Sequence, residues 1–162
     1  MSAVAAPRVW PYFVCVLVAL SLEVTPLPGG MTGWRPPWLA LVVVYWAVAH
    51  PRRYGLGPAW LAGLVLDVLK GGILGQHALA TAVAGWLALR FHQRLRLFPI
   101  WQQTVAVGAI IGVQQFLVFW VDGITGDAAL SWQRAAPVLA AAIIWPLAAP
   151  LLDRLRGRLH TI

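Results

Sequence analysis

The chain has little of what a soluble domain or a secreted scaffold requires. A single cysteine, Cys15, excludes an intrachain disulfide, and its place within an apolar run makes it a small packing residue. Charge is scarce, with Asp, Glu, Lys and Arg making up 10% of the residues and only 5 of them acidic. Soluble domains carry roughly 25% charged residues. HExxH and paired-cysteine spacings are absent, as are a Gly-rich phosphate loop and a nucleophile elbow, and His50, His77, His92 and His160 fall on different loops or ends. Without these patterns no zinc site, phosphate cradle or catalytic set is expected, and hence no enzyme activity and no cofactor.

What fills the chain instead is hydrocarbon: 60% of residues are hydrophobic and the mean hydropathy is +0.76. Apolar runs recur along the whole length, separated by short pieces rich in Pro, Gly and Arg, which is the pattern of an all-α polytopic membrane protein. The runs leave no room for a second domain of about 50 residues, so 1–162 is read as one integral membrane domain. Arg8 ahead of the run from Trp10 to Leu22 imitates a signal peptide. The segment Ser21-Leu-Glu23-Val-Thr25-Pro26 lacks a small-residue cleavage site, so the run is read as a retained first helix in a bacterial inner membrane.

Six helices are expected, at about 10–25, 37–50, 56–74, 77–91, 101–121 and 134–152, forming a six-transmembrane-helix bundle. The second and fourth are short for a bilayer that takes about 20 apolar residues. Five spans is the competing drawing. Three glycines in Gly71-Gly72-Ile-Leu-Gly75 favour a turn over a continuous helix and hence six. With both termini cytoplasmic, Arg8, Arg52, Arg53, Arg90, Arg94, Arg96, Arg154, Arg156 and Arg158 lie inside and Arg35, Lys70 and Arg134 outside, so the 12 basic residues divide nine to three. That is the positive-inside bias, and Trp10, Trp38, Trp60, Trp101 and Trp120 near span ends suit the headgroup layer. Trp145, inside the last span, reads as a packing residue. The net charge of +7 then reads as arginines meeting anionic inner-leaflet lipid, at about 1 kcal/mol each, and not as a nucleic-acid surface.

Asp67 and Lys70 stand out because an unpaired charge near the middle of a span costs at least about 2.5–3.5 kcal/mol. Three apart, they share a helix face with Trp60, Gly63, Gly71 and Leu74. Either they fix packing, paired with each other or with backbone and amide groups of neighbouring helices, or they meet a partner or ligand. Glu23 is read as a carboxylate in the outer headgroup layer or as a contact for Lys70. His77, beside Gln76 at the turn, reads as a cap or surface residue. Gln114-Gln115 and the small-xxx-small pattern Gly108-Ala-Ile-Ile-Gly112 suggest a helix contact, whereas Gln102-Gln103 read as interfacial. Pro137, Pro146 and Pro150 imply a kink or an early break in the last helix. The loop Arg90-Phe-His92-Gln-Arg94-Leu-Arg96-Leu-Phe98-Pro99 either lies on the inner leaflet or docks a cytoplasmic partner.

The order Pro51-Arg-Arg53-Tyr-Gly55-Leu-Gly57, Trp60-Leu-Ala-Gly63-Leu-Val-Leu-Asp67-Val-Leu-Lys70-Gly71, Leu74-Gly75-Gln-His77-Ala-Leu, and then Leu89-Arg90 through Phe98-Pro99-Ile-Trp101-Gln-Gln103 resembles the rod shape-determining family MreD. The likeness covers the chain from the second helix to the fifth. It implies a non-enzymatic scaffold of the cell-elongation complex that binds MreC directly. It also implies action with MreB, with RodA and with its penicillin-binding transpeptidase, supporting lateral peptidoglycan synthesis and rod shape. The implied fold is similar to the six-helix substrate-binding components of energy-coupling-factor transporters. Gly63, Asp67, Lys70, Gly71, Gly72, Gly75, Arg90, Arg94, Arg96, Gly108 and Gly112 are the partner or packing candidates. The alternative function is a small transporter or ligand-binding subunit with Asp67 facing a pocket.

Overall fold

The computed structural model describes residues 9–126 and 132–160; Arg8, counted above among the inner charges, lies outside them. Among the described residues there is no strand. The chain forms α1 (Trp10–Val24), α2 (Trp38–Ala49), α3 (Leu56–Lys70), α4 (Gln76–Leu97), α5 (Ile100–Thr125) and α6 (Ala136–His160), with short 3-10 turns at Met31–Trp34 and Trp132–Ala135.

The sequence places α2 at the centre. Its residues from Leu39 to Val48 are all apolar and all buried, the pattern of a helix hydrophobic all round and covered on every side. α1 and α4 are its main neighbours, and α6 also touches it. The helices around it bury one stripe each. On α1 that stripe is Tyr12, Cys15, Val16, Ala19, Leu20 and Glu23, recurring at three- and four-residue steps as one helix face must. The opposite faces are equally apolar yet exposed: Phe13 and Leu17 on α1, Val65 and Val68 on α3, Val105, Phe116 and Ile124 on α5, Ile143 and Leu147 on α6. An exterior of this extent suits lipid and not water. By length and composition, α5 and the segment Gln133–Arg158, which contains most of α6, can each cross a membrane.

α3 and α4 form the tightest pair. A Cβ at Gly63 would lie 2.5 Å from the carbonyl oxygen of His77 and 2.6 Å from the Cα of Ala78, and one at Gly85 would lie 2.8 Å from the Ala59 Cβ. Glycine is therefore what lets the first turn of α4 press against the backbone of α3. Gly108 and Gly112 differ, since a Cβ there would meet only Ala142 at 3.8 Å and Val138 at 4.0 Å. The α5 pattern faces α6, as the small-xxx-small motif suggests, but at ordinary van der Waals distance.

Several boundaries depart from the sequence reading. α3 stops at Lys70 because Gly71 turns to φ +64°, the left-handed conformation that ends helices. The expected loop from Arg90 to Phe98 is helical: α4 runs on to Leu97, and Phe98 turns extended because Pro99 follows it. α6 passes through Pro146 and Pro150 without breaking, and Pro137 sits in its first turn, where a missing N–H is harmless.

Candidate functional site

The C-terminal ends of α1, α3 and α5 and the N-terminal ends of α2, α4 and α6 meet at one end of the bundle around a cleft of about 420 Å³. Its lining includes Glu23, Arg35, Lys70, His77, Gln114, Gln115, Asp122, Gln133 and Arg134. Successive helices are therefore antiparallel. Arg52, Arg53, Arg90, Arg94, Arg96, Arg154, Arg156 and Arg158 are carried at or near the opposite ends of these helices, which we call the arginine end.

No side chain next to the first turn of α2, α3, α4 or α5 caps its own helix. In a bilayer, the orphan N–H groups of such a turn still need partners, and in two cases another helix supplies them. Asp67, 1% exposed, reaches from α3 to the start of α4. Its carboxylate accepts the N–H groups of Gly75 at 2.8 Å, His77 at 2.9 Å and Ala78 at 3.2 Å. The remaining early donor, the N–H of Gln76, goes to the carbonyl of Ile73 at 3.3 Å. The first turn of α4 is fully satisfied, and an anion sits on the positive end of its dipole. Glu23 repeats the arrangement from α1, its Oε2 accepting the N–H of Leu39 in the first turn of α2 at 3.0 Å.

Cations serve the opposite termini. The Arg35 guanidinium donates to the carbonyls of Glu23 and Thr25 at the C-terminus of α1. At the arginine end, Arg96 donates from Nε to the Val48 carbonyl at 2.8 Å and from Nη2 to the Ala49 carbonyl, closing the C-terminus of α2. The central helix thus carries a carboxylate at its N-terminus and a guanidinium at its C-terminus, both delivered by other helices.

The two acid caps are joined through Lys70 and His77. Lys70 Nζ lies 3.4 Å from Glu23 Oε1 and 3.4 Å from His77 Nε2, and His77 Nδ1 lies 2.9 Å from Asp67 Oδ1. An ammonium can only donate, so His77 accepts from Lys70 at Nε2 and donates its Nδ1–H to Asp67. Glu23, Lys70, His77 and Asp67 form one continuous chain across α1, α3 and α4. Across the cleft, Gln76 Nε2 donates to Asp122 Oδ1 at 2.6 Å and to the Val118 carbonyl at 3.1 Å, and Arg134 Nη1 donates to Asp122 Oδ2 at 2.9 Å.

Several sequence readings change here. Asp67 and Lys70 do not pair with each other; His77 stands between them. Of the two readings of Glu23, the structure has the contact with Lys70, and the carboxylate is buried in the bundle. Asp67 is not among the residues lining this cleft, which it meets only through His77. Gly63 and Asp67 are enclosed in the α3–α4 contact, so they pack and offer no docking face. Gly71 and Gly72 are exposed and Gly75 half-buried in the turn, and Arg90, Arg94 and Arg96 lie on the last turns of α4 with Arg96 closing α2. Gln103, read as interfacial, also joins helices: its Nε2 donates to the Leu95 carbonyl at 3.1 Å and its Oε1 accepts the Trp145 indole N–H at 3.2 Å, tying α4, α5 and α6. Asp122 and Asp153 fall one residue beyond the expected ends of the fifth and sixth helices, where an acid carries no signal of its own, so their partners emerge only from the packing. Among the described residues, no three of His, Cys, Asp and Glu cluster to hold a metal ion.

Residues 7–155 match the family described as rod shape-determining protein MreD. The rod shape-determining protein MreD of Haemophilus influenzae is 30% identical over 142 residues, covering 88% of this chain and 88% of that protein. No solved structure matches. The chain belongs to the MreD family.

Proposed function

We propose that this MreD-family chain is a non-enzymatic, multi-pass scaffold of the bacterial inner membrane. It would bind MreC and, in a complex with MreB, RodA and its transpeptidase, support lateral peptidoglycan synthesis. In this reading all six helices cross the bilayer, both termini are cytoplasmic, and the cleft opens on the outer side. The concentration of arginines at the other end supports that orientation.

The observation that carries the reading is the state of the polar groups around the cleft. Glu23, Lys70, His77, Asp122 and Arg134 are each engaged in caps or ion pairs between helices, so they shape the cavity and are not poised as a nucleophile and base. Gln114, Gln115 and Gln133 add amides to its wall, suited to main-chain hydrogen bonds. A polar hollow enclosed by a lipid-facing exterior fits a peptide segment adjoining a membrane helix, as a bitopic partner would present it.

Depletion and complementation in a rod-shaped host test this. Depleted cells are expected to become round and to recover with the wild-type chain. Gln115→Trp, which places a bulky ring in the cleft, is expected to reach the membrane at normal levels yet fail both to restore rods and to co-purify MreC in detergent. Depleted cells that stay rod-shaped but lose uptake of a nutrient would instead favour a transporter.

A further inference from the structure

We propose that the crevice between α2, α4 and α6 at the arginine end binds the phosphodiester headgroup of an anionic phospholipid, gripped by Arg96 and Arg156. The crevice has a volume of about 360 Å³ and opens between the last turn of α2, carrying Val48 and Ala49, and the α6 side chains Trp145, Asp153 and Arg156.

The charge balance fits a single anion. Arg96 uses Nε and Nη2 on the carbonyls of Val48 and Ala49, which fixes the guanidinium plane and leaves Nη1 for another acceptor. Asp153 accepts the Tyr45 hydroxyl at 2.5 Å and lies 3.3 Å from Arg156 Nη2. Two guanidinium groups face one carboxylate already engaged on both counts, so the crevice carries one net positive charge, matching a phosphodiester. Guanidinium forks suit phosphate oxygens, and basic crevices between membrane helices on the cytoplasmic side are the usual seats of anionic headgroups. The apolar part decides between a lipid and a free anion. Val48, Ala49 and Trp145 form one apolar wall, against which the start of an acyl chain can lie and for which a free anion has no use.

This inference rests on the proposed orientation, with the arginine end at the inner leaflet, but not on MreC binding. The detergent-purified chain would be titrated with phosphatidylglycerol, with phosphatidylcholine of the same acyl chains, and with inorganic phosphate, following thermal stability and lipid retention by native mass spectrometry. Phosphatidylglycerol alone is expected to stabilise the protein. Arg156→Gln is expected to weaken that binding about tenfold or more, as loss of a charge-assisted contact should, while melting unchanged in its absence. Arg90→Gln, an exposed arginine outside the crevice, should behave as wild type. Equal effects of the two lipids, full stabilisation by inorganic phosphate, or equal losses in the two variants would each overturn the proposal. Retention of MreC by Arg156→Gln is expected, so failure of the lipid site and failure of the scaffold reading remain distinguishable.

Discussion

At the scale of single residues, the charges inside this bundle are explained by the backbone groups they satisfy. Asp67 receives three N–H groups of α4 and the imidazole of His77. Removing it leaves those donors without their acceptor, and Asp67→Ala is expected to destabilise the fold by about 3–5 kcal/mol, read as lost thermal stability in detergent and lower membrane abundance. Asp67→Asn should cost less, since its amide oxygen still accepts. Lys70 and Glu23 are unequal partners. The ammonium is about one-third exposed and contributes little as an ion pair, whereas Glu23 is buried and also caps Leu39. Glu23→Ala should therefore lower abundance far more than Lys70→Ala. The reciprocal swap of Glu23→Lys with Lys70→Glu should fail to restore it, because a lysine at 23 cannot accept the Leu39 N–H. Restoration by the swap would show that mutual attraction, and not capping, is what Glu23 supplies.

At the scale of elements, the hairpin of α3 and α4 depends on close approach, and two glycine patterns that look alike in sequence should respond differently. Gly63→Ala drives a methyl to 2.5 Å from the His77 carbonyl oxygen. The first turn of α4 must then move off α3 and away from Asp67, at a cost of about 2–3 kcal/mol. Gly108→Ala and Gly112→Ala have room and gain helix propensity worth up to about 1 kcal/mol, so they should melt at or above the wild-type temperature. Comparable losses at all three positions would mean that α5 and α6 approach as closely as α3 and α4. The helices and the turn at Gly71–Gly75 were legible in the sequence, and Gly63 and Asp67 stand out there, because apolar runs, glycines and lone charges are local signals. The caps were not. Their donors are main-chain N–H groups, identical at every position, and which helix end lies against Asp67 or Glu23 is decided only when the helices pack. The same reasoning explains Arg96, whose spacing suggested a lipid-facing loop while its partners are the carbonyls of a helix about 48 positions earlier in the chain.

At the scale of the whole molecule, helix length and charge together constrain how the bundle sits in a bilayer. At 1.5 Å per residue, α2 spans about 18 Å and α3 about 22 Å, less than a hydrocarbon core of about 30 Å. If α2 crosses the bilayer, at least one of its ends lies where backbone groups find no water, and the trans caps from Glu23 and Arg96 would allow it to stop there. α5, at 26 residues, is long enough to cross outright. An alternating six-helix bundle with its arginines at one end should orient that end toward the cytoplasm. Cysteine accessibility tests this directly, because Cys15 is the sole native cysteine and its buried site accepts Cys15→Ala with little loss of volume. In that background, Leu74→Cys in the exposed α3–α4 turn should react with a membrane-impermeant maleimide in whole cells. Gln93→Cys, exposed near the far end of α4, should react only after the inner membrane is permeabilised. The reverse pattern would place the polar cleft on the cytoplasmic side and the arginine crevice outside. Reaction of both positions in intact cells would mean that α4 does not cross the membrane at all.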